Sequence, residues 1–104
     1  MIHTAASLLA DAETYEGQEV EVAGTLLSGR EELSLGDHDD AGQRLWLSLR
    51  EGNPTVRGPL RSGREVVATG VFHAGPCGHL DRFGGELRPL VEVRRRKKSD
   101  STGG

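Results

Sequence analysis

The chain predicts an all-β domain, a five-stranded Greek-key barrel with a short N-terminal helix. Three observations support this reading. Apolar and polar residues alternate in five separate runs, Gly-rich segments punctuate those runs, and one helix-forming stretch precedes them all. Period-2 alternation marks a strand with one buried face, because successive side chains point to opposite sides.

The stretch His3-Thr4-Ala5-Ala6-Ser7-Leu8-Leu9-Ala10-Asp11-Ala12 is rich in good helix formers, with Thr4 as its N-cap. Tyr15-Glu16-Gly17-Gln18 reads as a turn into the first strand, residues 19–27, where Val20, Val22 and Leu26 share a face. A second strand spans residues 32–36 with Leu33 and Leu35 inward. The third, residues 44–50, alternates strictly and puts Leu45, Leu47 and Leu49 on one face. The fourth covers residues 65–72, where Phe72 falls in with the apolar set. The fifth covers residues 86–93, and Pro89 within it requires an edge or a bulge because proline cannot donate to a ladder.

Between these runs lie an acidic loop, residues 36–43, and a Pro-broken stretch, residues 51–63, containing Pro54 and Pro59. A long loop, residues 73–85, holds four glycines and Pro76. The expected organisation is one barrel domain over residues 1–94 and a disordered basic and polar tail over residues 95–104.

The chain has 104 residues, enough for one domain, and a single cysteine, which excludes a disulfide framework. No apolar run approaches the ~20 residues that span a bilayer, and the start lacks the pattern of a signal peptide. A soluble cytoplasmic protein without membrane partners is expected. The net charge of −3 hides an asymmetry: residues 1–43 hold ten acids and one base, whereas residues 44–104 hold six acids and twelve bases. Five of those bases form the run Arg94-Arg95-Arg96-Lys97-Lys98. An acidic body therefore carries a basic end.

Two segments, Gly17-Gln18-Glu19-Val20-Glu21-Val22-Ala23-Gly24 and Gly63-Arg64-Glu65-Val66-Val67-Ala68-Thr69-Gly70, share the form Gly-x-x-Val-x-Val/Ala-x-Gly. In them the chain resembles the OB-fold (oligonucleotide/oligosaccharide-binding) superfamily. It is most similar to the small barrels used as anticodon-binding and related nucleic-acid-binding domains. The likeness covers roughly residues 15–94. It departs where the helix that usually links strands three and four is replaced by the Pro-broken stretch.

The resemblance implies ligand binding on the outer face of strands two and three. There the alternation of the third strand sets Arg44, Trp46, Ser48 and Arg50 in one outward line. Single-stranded nucleic acid would stack a base on the indole and pair its phosphates with the guanidinium groups. Arg82 and Phe83 reach toward this face from the long loop, and Arg94, Arg95, Arg96, Lys97 and Lys98 supply an electrostatic arm. The neighbouring strand offers Glu32 and Ser34 to the same face and the first strand offers Glu19 and Glu21, and the carboxylates among these repel a phosphate backbone. The alternative is a protein-interaction module or accessory subunit that uses the acidic face and the 73–85 loop, with Trp46 as interface anchor.

His73, Cys77 and His79 form a His-x3-Cys-x-His group whose side chains can ligate zinc, with Asp37, His38, Asp39 or Asp40 as a fourth ligand. The spacing matches none of the paired Cys-x2-Cys patterns, and no cofactor is expected. Cys77 beside a histidine permits a nucleophile–base pair, and Asp37-His38-Asp39 can hold a general base. Neither has an identifiable orienting group or oxyanion donor, so a non-enzymatic protein is expected. No glycine segment carries a phosphate-loop signature.

Overall fold

A computed structural model of the chain describes residues 2–28, 33–36, 43–48, 54–57, 61–77 and 83–96, with the side chains of Pro76, Cys77 and Phe83 excepted. The elements run β1 (Ile2–Thr4), α1 (Ala5–Ala10), α2 (Ala12–Tyr15), β2 (Glu19–Ser28), β3 (Leu33–Gly36), β4 (Leu45–Leu47), β5 (Thr55–Arg57), β6 (Glu65–Cys77) and β7 (Phe83–Arg95). β2 pairs antiparallel with β3, and β3 with β4. β4 then pairs parallel with β7, β7 antiparallel with β6, and β6 antiparallel with β2. The ring closes with five strands in an OB-type Greek-key order, as the alternation predicts. Among the described residues no helix is long and apolar enough to cross a membrane.

The inward faces make one core. Val20, Val22 and Leu26 of β2, Leu35 of β3, Leu45 and Leu47 of β4, Phe72 of β6, and Leu87, Leu90 and Val93 of β7 are all buried in it. Each fully buried Leu or Phe contributes about 2–3 kcal/mol of apolar transfer. Ala5 and Leu8 join the same cluster from α1. A six-residue helix is too short to persist alone, so this burial holds it in place. Its start is fixed as the sequence predicts: Thr4 Oγ1 accepts from the Ser7 N–H at 3.1 Å, and Ser7 Oγ accepts from the Thr4 N–H at 3.1 Å.

Gly70 marks the bend of β6. The β6–β7 register slips on both sides of it, from Thr69↔Glu92 to Gly70↔Leu90 to Phe72↔Leu87, so β7 bulges around Pro89. A Cβ at position 70 would lie 2.8 Å from the Pro89 carbonyl oxygen and 3.0 Å from Leu87 Cβ. Only glycine lets the two strands approach this closely.

Four local expectations are corrected. His3 and Thr4 belong to β1, which pairs parallel with residues 21–23 of β2, and the predicted helix begins after them and divides at Asp11. The 73–85 segment is not a long loop, because β6 continues to Cys77 and β7 starts at Phe83. Thr55–Arg57, inside the Pro-broken stretch, forms β5 and pairs parallel with residues 92–94 of β7. The barrel also reaches further than residue 94, since Arg95 lies in β7 and the Arg96 N–H donates to the Glu65 carbonyl at 3.0 Å. The rest of the tail, Leu49 and most of the acidic loop lie outside the described residues.

Candidate functional site

The outer face of β3 and β4 is built from one row of register partners: Ser34 of β3, Trp46 of β4, Glu86 of β7 and His73 of β6. Trp46 is half-buried at the middle of this row, between a buried Ser34 and a half-buried Glu86. Glu86 in turn faces Arg88, with 3.5 Å between Oε1 and Nε.

Arg44 and Ser48 do not line this face as exposed contacts. Arg44 is 2% exposed and Ser48 is 3% exposed. The Arg44 guanidinium is consumed inside the protein: Nε donates to Ser34 Oγ at 3.0 Å, Nη1 to the Gly36 carbonyl at 3.2 Å, and Nη2 to the Ser34 carbonyl at 3.1 Å and the Thr25 carbonyl. One planar fork thus joins β2 to both ends of β3. Alternation correctly sets Arg44 on the side of β4 away from the core, yet that side is covered here, and no phosphate reaches the group. Arg50 and Arg82 lie outside the described residues, as does the side chain of Phe83.

The basic run begins as part of the barrel. Arg94 Nη2 lies 3.8 Å from Glu21 Oε2, and Arg94 Nε lies 3.8 Å from Glu92 Oε1. Arg96 Nη1 lies 3.6 Å from Glu65 Oε2, and Arg57 Nε pairs with Glu92 Oε2 at 3.0 Å. Such exposed pairs contribute only about 0–1 kcal/mol each. Their consequence is electrostatic: carboxylates of β2, β6 and β7 already stand beside Arg94 and Arg96, where a phosphate would have to compete. Arg95 is exposed, whereas Lys97 and Lys98 lie outside the described residues.

Of the expected metal-ligating group, His73 is described, and its ring is hydrogen-bonded within the protein. Nδ1 lies 2.8 Å from Glu16 Oε2 and Nε2 lies 2.9 Å from the Arg88 carbonyl, so both ring nitrogens are engaged. Glu16 Oε1 also accepts from the Ala74 N–H at 2.8 Å. That backbone bond, and then the His73 contact, hold the Glu16 carboxyl below its ordinary value. Glu16 thereby ties the turn after α2 to β6, a pairing across 57 residues that no local sequence signal announces. The Cys77 side chain, His79, Asp37, His38, Asp39 and Asp40 lie outside the described residues. Among the described residues no group of three or more His, Cys, Asp or Glu is placed to hold a metal ion.

Compared with known protein families, curated proteins and solved structures, the chain matches none.

Proposed function

We propose that this protein is a non-enzymatic binding module whose ligand is single-stranded nucleic acid, taken on the outer face of β3 and β4. One observation carries the reading. The closed OB-type strand order sets Trp46, the sole tryptophan, half-exposed at the centre of the face that such barrels use for oligonucleotides. A base stacked on an aromatic side chain contributes about 1–3 kcal/mol whatever its identity. With Arg44 consumed internally and Arg94 and Arg96 beside carboxylates, stacking is the larger contribution here. Arg44 acts as a brace that ties β2 to β3, the strand paired with Trp46.

The experiment is fluorescence anisotropy with a dye-labelled single strand of about ten nucleotides, within the range one OB barrel covers. Wild type binds, and Trp46→Ala weakens binding by about tenfold, the equivalent of one lost stack. Equal affinity in the variant overturns the proposal.

A second reading, a protein-interaction module, is favoured by a different observation. All three residues of the edge strand β5 are exposed, and Val56 at 43% and Val91 at 41% are the exposed large apolar side chains of the described residues. A pull-down whose partners survive nuclease treatment supports it, and loss of every partner on nuclease treatment ends it.

A further inference from the structure

A cavity of about 260 Å³ opens beside the start of β2, remote from Trp46 in the strand register. His3, Tyr15, Gln18, Glu19, Glu21 and Thr69 line it. The His3 and Tyr15 rings meet edge to face, with centroids 4.8 Å apart and planes at 64°. They make one aromatic wall. Gln18 Nε2 is spent on the Thr14 carbonyl at 2.7 Å, which leaves the Gln18 amide oxygen as an acceptor.

The charges around the cavity follow a pattern that stops short. On the outer face of the barrel, Glu65 stands beside Arg96, Glu92 beside Arg57 and Arg94, and Glu21 beside Arg94. Glu19 is the next outward carboxylate along β2, opposite Val71 in register. Among the described residues no cation or hydrogen-bond donor reaches its carboxylate. This carboxylate opens onto the cavity, next to the aromatic wall. The volume lies below the roughly 300 Å³ at which pockets begin to take drug-sized ligands, so the occupant is the size of a single side chain.

We propose that this cavity binds an organic cation, a guanidinium or primary ammonium on a short aliphatic stem. Glu19 pairs with its charge, the stem and head lie along Tyr15, and the Gln18 amide oxygen and the Thr69 hydroxyl accept its remaining hydrogens. Glu21 already shows this preference toward a guanidinium of its own chain. The cation comes either as a free small molecule or as an Arg or Lys side chain of a partner, and both sources present the same head group.

The test is an amide NMR titration of the full chain with ethylguanidinium, and with N-ethylurea as the uncharged isostere. Saturable shifts at Tyr15, Gln18, Glu19 and Thr69 with ethylguanidinium alone are expected. Glu19→Gln, at an exposed position, weakens binding by about threefold to fivefold, while Glu13→Gln, outside the cavity, leaves it unchanged. A blocked Gly-Arg-Gly peptide that binds at least as tightly assigns the source to a partner side chain; a peptide that fails while ethylguanidinium binds assigns it to a free cation. Non-saturating shifts, an equal response to N-ethylurea, or unaltered binding in Glu19→Gln overturns the proposal. Trp46 plays no part in this readout, so its outcome is independent of the nucleic-acid reading.

Discussion

Arg44 Nε donates to Ser34 Oγ at 3.0 Å, and both side chains are closed off from water although both lie on the outer side of the barrel. The guanidinium also serves three backbone carbonyls, those of Thr25, Ser34 and Gly36. Its loss leaves several enclosed acceptors without their donor, each costing about 1–3 kcal/mol when unsatisfied. Arg44→Met is therefore expected to destabilise the fold by about 3 kcal/mol, read as a lower urea midpoint at unchanged slope. Arg44→Lys recovers only part of this, because a single ammonium cannot span the fork. A neutral effect of Arg44→Met contradicts the bracing role.

Gly70 and Gly17 separate two reasons for glycine. At Gly70 an added Cβ meets the Pro89 carbonyl and Leu87, and Gly70→Ala is expected to cost about 3 kcal/mol through overpacking. At Gly17 the backbone is left-handed, with φ 78°, in open space, and Gly17→Ala costs only the conformational penalty of about 1 kcal/mol. Urea denaturation of both variants checks the order.

Alternation in the sequence identifies the core faces well, and Val20, Val22, Leu26, Leu35, Leu45, Leu47 and Phe72 are all buried. Alternation reports which side of a strand a residue takes, not what covers that side, and for this reason Arg44 and Ser48 read as exposed. The strand past His73 is hard to read because Gly75 and Pro76 are breaker residues, and cross-strand pairing of Ala74 with Gly85 overrides them. β5 is hidden by its flanking prolines, and β1 by residues of adequate helix propensity. The pairing of Glu16 with His73, and of Arg96 with Glu65, depends on chain folding across the barrel and leaves no trace in local composition.

Glu16 gives the acid limb of stability a definite direction. Its carboxyl is held below the ordinary value of 4.5, first by the Ala74 N–H and then by His73. A lowered folded-state value means that its contribution is complete above the unfolded value and is lost as pH falls through the folded one. The stability difference between wild type and Glu16→Gln is thus expected at neutral pH and shrinks as the pH falls below the ordinary value of 4.5 and through the lowered folded-state value. Urea midpoints across that range measure it, and a difference that grows toward acid contradicts the assignment.

The carboxylates beside Arg94 and Arg96 predict a gain of function. Glu65→Gln removes the carboxylate charge facing Arg96 Nη1, and with it the competition a phosphate meets there. Oligonucleotide affinity should rise, and the logarithmic salt slope should steepen by about 0.7, the value of one added phosphate contact on a single strand. Arg44→Met should leave that slope unchanged in the folded protein. Had Arg44 been a phosphate contact, the slope would instead fall by the same amount.

The central claim is that Trp46 is the stacking platform, and its own fluorescence is the most direct test, since it is the sole tryptophan of the chain. Titration with a short single-stranded oligonucleotide at low salt should quench the Trp46 emission saturably. The same length of duplex, whose bases are already stacked, should quench it little. No quenching by the single strand at low salt, or equal quenching by the duplex, contradicts the account.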